Sequence, residues 1–183
     1  NKILALRVKK IDSILSFNDY VDVGYFNIDN GIFNVIDSTN AVNWQQGCML
    51  EWLGPDNCSK VIYNKFIDER LVAIIYDIRN NKKEIIDDPV YTVSGDGSFA
   101  LTVDFERHHF FRRGYSYDFK NPDFSKNIAI DHNDGIFKVD LLNNKKEKVI
   151  GIDALLNNRP LKTMNGEIHY LEHMAINPAG NRF

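Results

Sequence analysis

Apolar positions along this chain come in short runs of strand character, cut at close intervals by Gly, Asn, Asp and Pro. That pattern belongs to small antiparallel sheets rather than to helices. Strands are predicted at 3–8, 21–27, 31–37, 49–53, 61–66, 71–77, 84–86, 90–93, 99–105, 136–141 and 147–152, with a short helical turn at 153–156. One unit recurs. Gly31-Ile32-Phe33-Asn34-Val35-Ile36-Asp37, Leu71-Val72-Ala73-Ile74-Ile75-Tyr76-Asp77 and Gly135-Ile136-Phe137-Lys138-Val139-Asp140 are versions of one apolar strand ending at or near an Asp. The last two run into near-identical turns and second strands, Asn80-Asn81-Lys82-Lys83-Glu84-Ile85-Ile86 and Asn143-Asn144-Lys145-Lys146-Glu147-Lys148-Val149-Ile150. A further element, Ser94-Gly95-Asp96-Gly97-Ser98-Phe99, is echoed by Asn177-Pro178-Ala179-Gly180-Asn181-Arg182-Phe183.

A repeated unit of four short strands predicts an all-β chain with the architecture of a β-propeller, built from four-stranded antiparallel sheets. About two full blades and parts of two more fit into 1–183, read as one unit. Residues 1–46 form a partial blade, 47–88 a second, 89–152 a third with a long loop insertion at 106–131, and 166–183 the start of another, with a strand over 169–176. Such a blade buries its faces only against neighbours. A piece of a larger propeller, or a ring completed by self-association, is therefore expected.

The 44% apolar content is ample for a packed core, and the net charge of −3 with scattered Lys and Arg argues against nucleic-acid and membrane partners. No apolar run approaches the length that spans a bilayer. Cys48 lies in an apolar strand and Cys58 in the polar turn after it; two free thiols are expected, with a disulfide across that hairpin the alternative. The chain begins at Asn1 rather than Met, so a processed N-terminus is expected. The default compartment is the cytoplasm, or the periplasm if a signal peptide has been removed.

Four segments carry candidate chemistry. In Glu106–Tyr117, His108, His109, Arg112, Arg113, Tyr115 and Tyr117 crowd into the insertion. Guanidinium forks suit carboxylates and phosphates, and aromatic faces suit sugar rings; the alternative is a covering loop whose Arg residues pair with Asp. Trp44-Gln45-Gln46-Gly47 offers a ring face and amides for sugar hydroxyls, or a Trp wedged between blades. His169-Tyr170-Leu171-Glu172-His173 matches H-x-x-E-H. On a helix His169 and His173 share a face and could hold one zinc; on a strand they stand roughly 13 Å apart. Asp131-His132-Asn133-Asp134-Gly135 reads as an oxygen-rich cation loop or as a β-turn capping a hairpin.

Taken together, Asn43–Gly47, Arg112–Tyr117, Asp134–Leu141 and His169–Phe183 resemble bacterial propellers of the TolB-like class. The Ser94–Phe99 turn looks like their Ser-Pro-Asp-Gly turn, with Gly95 where Pro is usual. The likeness is greatest to uncharacterised propellers of capsule and surface-polysaccharide loci, which are similar to oligogalacturonate lyases. That resemblance implies carbohydrate work, with an acidic oligosaccharide as partner. In the lyase form it implies a divalent metal, Mn, held by His169 and His173 (Zn being the ion of the H-x-x-E-H reading), with His108, His109 or Arg112 as base and carboxylate partner. Three functions follow as expectations: a module binding acidic glycans or sugar intermediates, a metal-dependent polysaccharide lyase, and a scaffold for a protein partner.

Overall fold

The structure, a computed structural model, describes residues 1–9 and 11–183. The predicted strands pair into three antiparallel sheets among these residues. The first is β1 (Lys2–Arg7), β2 (Val21–Asn27) and β3 (Phe33–Thr39). The second is a four-stranded meander of β4 (Glu51–Leu53), β5 (Lys60–Ile67), β6 (Arg70–Asp77) and β7 (Lys82–Ile86). The third is a meander of β8 (Thr92–Val93), β9 (Phe99–Thr102), β10 (Gly135–Asp140) and β11 (Lys145–Gly151).

The middle sheet is covered on both faces, which is why β5 and β6 read as nearly unbroken apolar runs rather than alternating ones. Val61, Tyr63, Val72, Ile74 and Tyr76 point to the first sheet and pack with Val23 and Cys48. Ile62, Ala73 and Ile75, one residue out of phase, point to the third sheet and pack with Val93, Ala100, Val139 and Leu141. Side chains of period two along a strand leave no other way to serve two neighbours.

The repeated turns are repeated geometry. Asp77 Oδ1 accepts the amides of Arg79 (2.9 Å) and Asn80 (3.1 Å), and its Oδ2 accepts from Asn80 Nδ2 at 2.8 Å. Asp140 does the same for Leu142 (2.9 Å), Asn143 (3.0 Å) and Asn143 Nδ2 (2.8 Å). Asp37 departs from them: it joins the first two sheets by accepting from the Tyr63 hydroxyl, Lys65 and Lys83. The Gly97 amide donates to the Ser94 carbonyl and the Gly180 amide to the Asn177 carbonyl, each at 2.9 Å. These turns also stack in series. A Cβ on Gly97 would lie 2.5 Å from the Gly54 carbonyl oxygen, and one on Gly95 would lie 3.4 Å from that of Pro178.

Two expectations change. The insertion is not a loop throughout: helix α1 (Phe105–Phe111) opens it, because Asp104 caps the amides of Glu106 (3.0 Å) and Arg107 (3.3 Å) and ends β9 at Thr102. A short 3-10 turn follows at Phe124–Lys126 and a helical turn, α2, at Ile152–Leu156. Residues 169–176 form neither strand nor helix. Their backbone groups bond to the His108 ring, Arg107, the Tyr91 hydroxyl and the Ala129 carbonyl instead of a strand neighbour. Both cysteines are free, Cys48 buried and Cys58 exposed. No helix among the described residues is long and apolar enough to cross a membrane.

Glu51 on β4 carries a pH signature. Burial pushes its carboxyl up to about 7, against a hydrogen bond from the Val93 amide. A carboxyl raised in the folded state takes up a proton on folding, so its contribution to stability is lost as pH rises from about 4.5 to 7. Glu51→Gln keeps the acceptor without the charge. Its urea-denaturation stability, relative to wild type, is expected to rise by on the order of 1–3 kcal/mol between pH 5 and pH 8; a constant difference would remove Glu51 from the titration.

Candidate functional site

The ends of the sheets where β7 turns into β8 and β9 runs into the insertion gather most of the chemistry-bearing side chains. Gln46 lies just ahead of β4, Tyr91 just ahead of β8, and His108 in the helix that follows β9. The irregular 169–173 segment completes the group.

Its centre is the Tyr91 hydroxyl, which accepts from Gln46 Nε2 at 2.6 Å and from the His173 amide at 2.7 Å. Tyr91 stacks on Phe105 (5.8 Å between ring centroids), which meets His108 edge-on at 5.9 Å. His108 is 1% exposed, and its Nε2 lies against the Leu171 carbonyl. A carbonyl only accepts, so Nε2 carries the proton and Nδ1 holds a lone pair. Burial lowers the pKa of this imidazole and keeps it neutral.

Glu172 Oε1 lies 3.3 Å from His173 Nδ1 and 3.7 Å from Arg112 Nε. The Arg112 guanidinium sits 4.6 Å over the Tyr115 ring, and Tyr115 meets His173 edge-on at 5.4 Å. Three acceptors in this group, Gln46 Oε1, His108 Nδ1 and Glu172 Oε2, are buried with no hydrogen-bond partner among the described residues. Burying such groups without a donor costs about 1–3 kcal/mol each.

The remaining candidates go elsewhere. Trp44, half exposed, donates its indole N–H to the Ser13 carbonyl at 3.1 Å. With His109, Arg113 and Tyr117 it lines a small cleft of about 90 Å³, floored by Leu15 and Val42. Gln45 is exposed. Tyr117 is 1% exposed and bonds to Asn64 through its hydroxyl, which makes it a core residue at the cleft's base. His109 Nδ1 lies 3.4 Å from both the Tyr117 carbonyl and the Phe119 amide. Asp131–Gly135 forms the turn rather than a cation loop: Asp131 accepts the amides of Asn133 and Asp134 at 2.9 Å.

His169 and His173 do not come together as a pair. His169 Nε2 donates to the Met164 carbonyl at 2.9 Å, while His173 faces Glu172 and Tyr115. The segment is not helical, so the i, i+4 alignment that a shared ion needs is absent. Among the described residues no three His, Cys, Asp or Glu side chains are grouped to hold a metal ion. The side chains as placed do not fit a Mn or Zn ion shared by His169 and His173.

Sequence reasoning misses Tyr91, whose aromatic ring is one among many; its place just ahead of β8, as Gln46 stands ahead of β4, is the signal that could have found it. It also passes over Arg107, which is 0% exposed and holds the site's far segment. Its Nη1 donates to the carbonyls of Lys126 (2.9 Å) and Ile128 (3.1 Å), and its Nη2 to those of Ala129 (3.3 Å) and His169 (2.5 Å). Its Nε pairs with Asp134 Oδ2 at 3.1 Å. Burial pushes the Asp134 carboxyl up to about 6, with Arg107 pulling the other way. Asp134 also lines a charged cleft of about 400 Å³, where Lys120 pairs with Glu69, Lys126 with Asp104 and Lys146 with Asp88. Comparison with known protein families, curated proteins and solved structures finds no match to this chain. The site is therefore read from its own chemistry.

Proposed function

We propose that the three stacked sheets are consecutive blades of a β-propeller, and that the group around the Tyr91 hydroxyl binds an acidic saccharide. The observation that carries the ligand class is the set of three buried acceptors without donors. A polyhydroxylated ring is a source of O–H donors that matches the acceptors of Gln46, His108 and Glu172 without adding a second charge to the Glu172 carboxylate. Arg112, stacked on Tyr115 and only loosely paired at 3.7 Å, is the cation available to a sugar carboxylate. The serial stacking of meander sheets and of their turns supports the propeller, and the resemblance to propellers of surface-polysaccharide loci supports the same ligand class. The lyase alternative has less support, because the histidines it needs are apart.

Calorimetric titration with oligogalacturonate tests the proposal. Binding is expected, weakened about 10-fold or more in Arg112→Ala. Glu172→Gln, which keeps the shape but removes the charged acceptor, is expected to weaken it less. Lack of binding by uronate oligomers, or affinity unchanged in Arg112→Ala, would overturn it in favour of the scaffold for a protein partner.

A further inference from the structure

The saccharide site and the Trp44 cleft are built by the same two turns. In the first, Asn43 pairs with Gly47 through both backbone bonds (3.0 and 3.1 Å), and its Oδ1 accepts the amides of Gln45 (3.0 Å) and Gln46 (2.7 Å). That turn sends Gln46 to the Tyr91 hydroxyl and Trp44 to the other side, into the cleft. In the second, the Tyr115 amide closes on the Arg112 carbonyl at 3.1 Å, and Gly114 takes a φ of +96°. This one sends Arg112 and Tyr115 toward Glu172 and His173, and Arg113 into the cleft. One bond, Asn43 Nδ2 to the Tyr115 carbonyl at 3.2 Å, locks the turns together.

The two turns together thus supply Gln46, Arg112 and Tyr115 to the first site, and Trp44 and Arg113 to the cleft. The cleft repeats the composition of the first site: an exposed ring face in Trp44, an apolar floor in Leu15 and Val42, and a guanidinium, Arg113, with no ion pair among the described residues. Asp118, at its rim, accepts the Phe17 amide at 3.1 Å, lies 3.9 Å from His109, and makes no ion pair with Arg113 among the described residues.

We infer that the ligand is an oligomer, and that the Trp44–Arg113 cleft is a second subsite taking a neighbouring uronate residue of the same chain. The inference rests on the saccharide reading of the first site. Trp44 carries the apolar face of the sugar ring, and Arg113 carries its carboxylate. The small volume of the cleft, about 90 Å³, suits a ring laid against Trp44 with its far face in water rather than one enclosed.

The test is chain-length dependence, measured by calorimetry with galacturonate and its linear oligomers on the full chain, and by tryptophan fluorescence. Affinity is expected to rise about 10-fold or more from monomer to oligomer. Trp44→Ala and Arg113→Ala each remove most of that gain, bringing oligomer affinity down toward that of the monomer. Trp44→Phe, which keeps an aromatic face and the fold, retains most of it, and the fluorescence change on oligomer binding disappears in that variant because only Trp52 remains. Oligomers binding no tighter than monomer, or a gain untouched by Trp44→Ala and Arg113→Ala, would overturn the second subsite and leave the first standing. Absence of binding at every length would overturn both.

Discussion

Asn64→Leu is expected to cost about 4–6 kcal/mol, a large part of the 5–15 kcal/mol that holds a typical domain folded. Asn64 sits in the middle of β5 and is 0% exposed. Its side-chain amide acts as a strand partner for Val90: Nδ2 donates to the Val90 carbonyl at 2.7 Å, and Oδ1 accepts the Val90 amide at 2.8 Å. Nδ2 donates again, to the Tyr117 hydroxyl at 2.9 Å. Leu has the same branching and is the larger of the two, so no cavity enters the reading. What remains are three orphaned polar groups on Val90 and Tyr117, both essentially inaccessible to water. At about 1–3 kcal/mol each they set the magnitude. For a chain of this size the loss lowers the midpoint of thermal unfolding by roughly 10–20 °C. A midpoint within about 3 °C of wild type by far-ultraviolet circular dichroism would mean that water or a rearranged loop replaces the amide.

Asn64 also marks what the sequence could and could not convey. Strands β5 and β6 were legible because a sheet covered on both faces writes itself as a nearly unbroken apolar run, and the Asn64-Lys65 pair inside β5 is visible as an exception. The hairpins β6–β7 and β10–β11 were legible because the Asp that closes each turn bonds to amides two and three residues on, a local arrangement set by local residues. The segment 169–176 was not. Its place after a hairpin and before the Pro178-Ala179-Gly180 turn suits a strand, but a strand exists only with a neighbour to pair with, and here side chains of α1 and Tyr91 take that place. Helix α1 was hidden for the opposite reason. Its His and Arg residues read as part of a binding or covering loop, and only the Asp104 cap before them signalled a helix.

The candidate site was legible as a list of segments and illegible as a grouping. Gln46, His108, Arg112, Tyr115 and His173 were all named from composition, yet nothing in their spacing says that Gln46 and His173 meet on one hydroxyl, 127 positions apart in numbering. The H-x-x-E-H spacing and the resemblance to lyases named His169 as a metal ligand, although its ring is committed to a backbone carbonyl. Residue type reports capacity for chemistry; tertiary placement decides which capacity is left over. Orphaned acceptors are that remainder, and they are visible only once every other partner has been assigned.

Arg107→Met is expected to loosen the site from behind and to cost about 3 kcal/mol. Two losses compete. Removing the guanidinium leaves Asp134 buried without its cation, but burial already pushes that carboxyl up to about 6, so it sheds the charge by taking a proton. The carbonyls have no such escape. Ala129 keeps the His169 amide at 2.9 Å, whereas those of Lys126, Ile128 and His169 lose the donors that Arg107 supplies. They lie in irregular chain at the surface and can turn to water, which caps the cost below the full sum of three orphaned groups and turns it into local opening. Hydrogen exchange should therefore quicken at least 10-fold in 126–129 and 169–173, with the amides of β5 and β6 little changed. Arg107→Lys keeps a charge for Asp134, but one ammonium does not reach carbonyls from two segments, so the same local opening is expected at a smaller global cost. Uniform acceleration across all three sheets would make Arg107 a core residue in the ordinary sense. Unchanged exchange at 169–173 would detach it from the site altogether, leaving the His108 bond to the Leu171 carbonyl and the Tyr91 bond to the His173 amide as what holds Glu172 and His173 in place.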